Sequence, residues 1–148
     1  MTTIAYRNGV IAADSYCELA GWNQPYPLCK LFTDRAQGVI YAACGSYARC
    51  REFITAPAGK RPDLDEHSRV IMFMAAREDR AAGIFIFEEN GMFPLSPMPE
   101  FTAWGSGFPV ALGAMHAGAD AIQAVRIAAK VDPHTGGAIH HLRLDALL

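Results

Sequence analysis

Asn8-Gly9 stands between two β-prone runs, Thr2-Thr3-Ile4-Ala5-Tyr6-Arg7 and Val10-Ile11-Ala12-Ala13-Asp14-Ser15. An Asn-Gly pair in that setting is the strongest local signal for a tight hairpin. Both turn residues need positive φ, and these two adopt it at little cost. The start of the chain is thereby committed to two antiparallel strands. Folding the second run back beside the first also carries Asp14 toward the N-terminal residues.

That proximity gives meaning to Thr2, which follows Met1 directly. A small second residue is what methionine-removing enzymes accept. Trimming would place a hydroxyl and a free α-amine on one residue. An α-amine has a reference pKa of about 7.7–8.0, so part of it is unprotonated near neutrality and can act as a base. A threonine hydroxyl activated by its own amine is a recognised covalent nucleophile.

The 148 residues suit one domain, 1–148, with a real core, at 51% hydrophobic and 19% charged residues. Net charge is −2 with no basic run, so neither nucleic acid nor an anionic membrane is indicated as a partner. No apolar stretch reaches membrane-spanning length and no signal-peptide pattern opens the chain, so the expected location is the cytoplasm. Cys17, Cys29, Cys44 and Cys50 form no CxxC pair and read as free thiols. His140 and His141 are neighbours on an expected strand, where side chains alternate between faces, so they do not suggest a shared metal.

Further elements follow from the pattern. Leu28–Asp34 and Gly38–Cys44 read as a strand pair after a loop from Gly21 to Pro27, and Gly45–Phe53 as a loop entering a short helix. Val70–Ala76 reads as a buried strand, Gly83–Phe87 as another, and Asn90-Gly91 as a second hairpin turn into Met92–Leu95. A short strand at Phe101–Trp104 ends in Gly105-Ser106-Gly107. Two helices follow: one starts near Pro109, and the other is capped by Asp120 with Gln123, placing Ile122, Val125 and Ala129 on one face. Ala138–Leu144 closes the chain as a strand. Segregated strands and helices argue for α+β.

Several of these motifs, taken in order, resemble the N-terminal-threonine peptidases of the proteasome β-subunit and HslV type, over nearly the whole chain. Thr2-Thr3-Ile4 through Asp14 is similar to that family's first hairpin, and Lys30 in Cys29-Lys30-Leu31-Phe32 falls where it has its active-site lysine. Ala43-Cys44-Gly45-Ser46 resembles the loop whose glycine amide forms the oxyanion hole, and Gly105-Ser106-Gly107 the family's Gly-Ser-Gly. Asp132-Pro133-His134-Thr135-Gly136-Gly137 is similar to its Asp-x-x-Ser-Gly-Gly, with threonine for serine. The resemblance implies a four-layer αββα sandwich and a catalytic set of Thr2, Asp14, Lys30, Gly45, Ser106, Asp132 and Thr135, without metal or organic cofactor.

The residues themselves bear on those roles. Of the three lysines, Lys60 and Lys130 lie in polar or helix-end contexts, whereas Lys30 interrupts an apolar run where an unpaired ammonium is costly. Asp14 is its natural partner. The pair suits either a site that favours the ionised Thr2 hydroxyl or a plain structural ion pair. Gly45 is an oxyanion donor or a turn residue, Ser106 a helper of the amine or a helix N-cap, and Asp132 and Thr135 either complete the site or organise a turn.

The sequence also departs from the family. About two dozen residues, with Pro57 and Pro62 among them, separate Gly45 from Val70, so the second helix usual there must be reduced or absent. Tyr47 and Arg49 stand where small or acidic residues are usual. The expectation is a threonine-type endopeptidase acting on peptide or unfolded protein in a self-compartmentalising homo-oligomeric ring, with an ATP-dependent unfoldase as a partner implied by resemblance. The alternatives are an unprocessed, inactive ring-forming scaffold and a small-molecule amidase.

Overall fold

Asn8 and Gly9 take φ of 51° and 78°, the mirror-image turn whose twist matches that of the flanking strands. The structure is a computed structural model that describes residues 2–17 and 28–147; Met1 and the loop expected from Gly21 to Pro27 lie outside the described residues. In chain order the strands are β1 (Thr3–Arg7), β2 (Val10–Ala13), β3 (Leu31–Asp34), β4 (Val39–Cys44), β5 (Arg69–Met74), β6 (Gly83–Glu88), β7 (Gly91–Pro94), β8 (Phe101–Gly105) and β9 (His140–Arg143). The helices are α1 (Tyr47–Thr55), α2 (Phe108–His116) and α3 (Ala121–Val131), with a 3₁₀ turn at Leu144–Leu147.

The architecture is α+β, with two antiparallel sheets ordered β8-β1-β2-β9 and β3-β4-β5-β6-β7. Alternation along each strand explains the sequence. Ile4, Tyr6, Ile11 and Ala13 of the first sheet share a core with Ile40, Ala42, Ile71, Phe73, Ile84 and Ile86 of the second. Phe73 sits at its centre, stacked on Tyr6 at 5.5 Å and edge-on to Trp104 at 5.6 Å. The alternate residues Ala5, Ala12 and Ala103 pack with Ala111, Met115, Ala124, Val125 and Ala128 of α2 and α3. Val39, Tyr41, Ala43 and Val70 pack with Cys50 and Phe53 of α1. The central strands are buried on both faces, and so read as continuous apolar runs.

The expected face of α3 packs as a partly buried one: Val125 is fully buried and Ile122 rests half-buried on the same cluster, while Ala121, Ala124 and Ala128 complete the buried stripe. Small residues dominate that stripe because α3 lies against alanines of β1 and β2 and against α2. Strands are also shorter than their apolar runs: β3 begins at Leu31 and β9 spans only His140–Arg143.

Between Thr55 and Arg69 no helix forms, in line with the prolines there. Instead the irregular segment drops Leu64 into the outer core and lays the Arg61 guanidinium over the rings of Phe53 (4.9 Å), Tyr41 (5.5 Å) and Phe87 (5.7 Å).

Candidate active site

Asp14 leaves the end of β2 with its side chain fully enclosed. Its amide donates to the Thr3 carbonyl at 3.2 Å, extending the hairpin ladder by one residue. Its carboxylate receives three donors: the Thr3 amide (3.0 Å) and Lys30 Nζ (2.8 Å) on Oδ1, and the Gly136 amide (3.1 Å) on Oδ2. Lys30 is itself only 4% exposed. It precedes β3, and its carbonyl accepts from the Ala43 amide at 2.9 Å, which fixes its backbone against β4. Burying two charges is costly, and this pair survives because two amides complete the carboxylate's coordination.

A second network approaches Thr2 from the other end of the chain. Asp132 caps the C-terminus of α3, and its Oδ2 accepts from Ser106 Oγ and from Thr135 Oγ1, each at 2.6 Å, while Oδ1 accepts from the His134 amide at 3.1 Å. Thr135 Oγ1 and Thr3 Oγ1 are also 2.6 Å apart. A hydroxyl has one proton; since that of Thr135 goes to Asp132, Thr3 is the donor between the two threonines. Ser106 Oγ lies 3.5 Å from the Thr2 carbonyl oxygen. Burial opposes the charge on Asp132, but the Ser106 and Thr135 hydroxyls and the His134 amide outweigh it and hold the carboxyl below its usual range.

Ser106 is thus not a helix cap: the N-cap of α2 is Gly107, and the serine hydroxyl turns to Asp132. The flanking glycines are sterically required. Gly105 has φ of 94°, and a Cβ there would strike the Thr2 carbonyl; a Cβ on Gly107 would strike Thr3 Oγ1.

Thr2, 3% exposed, shares a cleft of about 10 Å³ with Tyr16, Cys17, Lys30, Ala43, Gly45 and Tyr47. Gly45 has φ of 99°, and a Cβ there would run into the His67 carbonyl. The turn alone therefore demands glycine. The same geometry also leaves the residue bare where it borders the cleft. All seven residues singled out in the sequence fall into this one region, linked through Thr2, Thr3 and Asp14.

The sequence assigned no site role to the Thr3 hydroxyl, the Gly136 amide or the cleft walls Tyr16, Cys17, Ala43 and Tyr47. Thr3 could have been found from strand alternation, which sends its side chain to the helix side of β1 with Ala5. The contacts of Gly136 and Cys17 depend on long-range closure that leaves no local signature. The cysteines divide clearly. Burial pushes the Cys44 thiol up despite the nearby Arg69 and Lys30 charges, and pushes Cys50 to about 11, so both are protonated at neutral pH and are poor nucleophiles. Among the described residues no group of three His, Cys, Asp or Glu side chains could hold a metal ion.

A larger cavity, about 960 Å³, lies elsewhere on the second sheet, lined by Phe32, Met72 and Met74 together with Arg35, Arg61 and Arg80. Size favours that groove as a binding site; the convergence of hydroxyls with a buried ion pair favours the Thr2 cleft. On that chemistry the Thr2 cleft is the candidate site.

Solved structures place this geometry in context. The fold is shared with Thiobacillus denitrificans BPH. Its structure in complex with epoxomicin matches with a TM-score of 0.62 at 20% identity, covering 97% of this chain and 98% of that one. A further structure of BPH matches with a TM-score of 0.60 at 20% identity, covering 97% of each chain. No family model and no curated protein matches the sequence. The likeness to BPH is one of fold along the full length.

Proposed function

We propose that the chain is a threonine-type endopeptidase whose nucleophile is Thr2 after removal of Met1. The observation that carries this reading is the cleft in which Thr2 stands beside the buried Lys30–Asp14 pair, with the Asp132–Ser106–Thr135 network ending at its backbone. The shared fold with a protein solved in complex with epoxomicin, a proteasome inhibitor, adds support.

In this reading Thr2 Oγ1 attacks the scissile carbonyl carbon and its proton passes to the Thr2 α-amine. The Lys30 ammonium, held by Asp14, favours the ionised hydroxyl. The Gly45 N–H receives the developing oxyanion. The amine then protonates the leaving nitrogen, and water hydrolyses the resulting ester. Ser106, Asp132 and Thr135 position the amine, and no step needs a metal or organic cofactor. The single domain is read as a four-layer αββα sandwich assembled into a homo-oligomeric cytoplasmic ring, acting on peptides or unfolded protein supplied by an ATP-dependent unfoldase. The burial of Thr2 favours one second reading, an unprocessed scaffold of the same fold.

Intact-mass analysis of the purified native protein separates the two. The peptidase reading expects loss of Met1, a covalent adduct on Thr2 with a peptide epoxyketone, and a fall in peptide cleavage by about a thousand-fold or more for Thr2→Ala. Retained Met1 together with no adduct sinks it.

A further inference from the structure

On its outer face the second sheet is covered only in part by α1. Phe32 of β3 and Met72 and Met74 of β5 stay half-buried there, lining a groove of about 960 Å³ that shares no residue with the Thr2 cleft. That volume lies within the range of clefts that hold small molecules. Charge along the groove is one-sided. Arg35, Arg61 and Arg80 line it against a single carboxylate, Asp34, whose Oδ1 already accepts from the Gln37 amide at 3.1 Å. None of the three arginines forms an ion pair with a carboxylate among the described residues. Arg35 donates to the Ala146 carbonyl, and Arg80 to those of Ala75 and Gln37. Such contacts fix the guanidinium groups without cancelling their charge.

Arg61 is held in a different way. Its guanidinium lies over the rings of Phe53, Tyr41 and Phe87, and its Nη2 donates to the Tyr41 hydroxyl at 3.0 Å. Its Nε is buried and has no hydrogen-bond partner. The ring faces attract the cation and orient it, but supply no anion. A carboxylate entering the groove would meet a positioned cation with no resident counter-charge to displace, and such charge-assisted bonds are the strong ones.

We propose that this groove binds a small amphipathic organic acid, its carboxylate on Arg61 and its apolar body along Phe32, Met72 and Met74. The site is separate from Thr2 and stands whether or not Thr2 is a nucleophile.

The test titrates full-length protein with octanoate, 1-octanol and octylammonium, which share an apolar body and differ in charge, and reads amide shifts by two-dimensional NMR. Octanoate should shift the amides of Phe32, Tyr41, Met72 and Met74 saturably. It should bind at least about tenfold more tightly than 1-octanol, with octylammonium weaker still. Arg61→Met, which keeps an apolar stem, should lower octanoate affinity by about tenfold and leave 1-octanol unchanged. Arg61→Lys should retain the preference for octanoate. Urea midpoints check that each variant is folded. Equal affinities of wild type for octanoate and 1-octanol overturn the proposal, as do the lack of a saturable shift in the groove and undiminished octanoate binding by folded Arg61→Met. An acetylated and amidated acidic peptide, Leu-Glu-Phe-Glu-Leu, is the competing probe. If it displaces octanoate and binds at least about tenfold more tightly, the occupant is a polypeptide and the proposal falls.

Discussion

At the scale of single residues, Asp132 is the group whose charge state matters most visibly. Burial works against its ionisation, but the hydroxyls of Ser106 and Thr135 and the His134 amide more than compensate, so its folded pKa is depressed. A carboxyl with a lower pKa folded than unfolded adds stability that is fully present above the unfolded value of about 3.9. That stability is lost as pH falls through the lower folded value. Asp132→Asn removes the charged acceptor. Its urea midpoint should lie below wild type at neutral pH, and the gap should close between about pH 5 and about pH 2. A gap that stays constant over this range would show that Asp132 ionises alike in both states. Lys30 and Asp14 are each almost wholly enclosed; Lys30 Nζ donates to Asp14 Oδ1, and the Thr3 and Gly136 amides donate to the same carboxylate.

At the scale of elements, the start of α2 is seated directly on the hydroxyl network. Gly107 has an ordinary φ of −88°, so alanine is permitted by its backbone. The obstacle is tertiary: the added methyl would run into Thr3 Oγ1 and come within 3.1 Å of Thr135 Oγ1 and 3.2 Å of the Ala128 Cβ. Gly107→Ala should therefore cost about 1–3 kcal/mol, as overpacking typically does, read from denaturant unfolding. An unchanged stability would mean that α2 slides outward freely. Periodicity located α3 and its Asp120 cap, which accepts from the Gln123 amide at 2.7 Å. What it could not show is that Ala121, Ala124 and Ala128 meet the alanine surface of β1 and β2.

At the scale of the whole molecule, the interior between the two sheets is what makes the site rigid. Phe73 of β5 contacts Tyr6 of β1 and Trp104 of β8, and so ties the second sheet to the strands that carry Thr3 and Gly105. Phe73→Ala should destabilise the protein by about 3–5 kcal/mol, measured by denaturant unfolding. A loss under about 1 kcal/mol would mean that the sheets collapse into the vacated space. The groove over Phe32, Met72 and Met74 lies beside the irregular segment between Thr55 and Arg69, from which Arg61 joins its lining while Leu64 packs into the outer core.

By itself the sequence determined the local features: the Asn8-Gly9 turn, the order of strands and helices, the short α1 and the need of Lys30 for a partner. These depend on backbone preferences and on the cost of burying charge, which act over a few residues. Its family resemblance also supplied the set of residues worth watching. What only the tertiary structure decided is how that set connects: Thr3 donates to Thr135, Ser106 serves Asp132 rather than the α2 cap, Gly136 completes Asp14, and Tyr16 and Tyr47 line the cleft. Those links join residues up to 132 positions apart. They arise from how two sheets and three helices close on one another, and no local pattern along the chain encodes that closure.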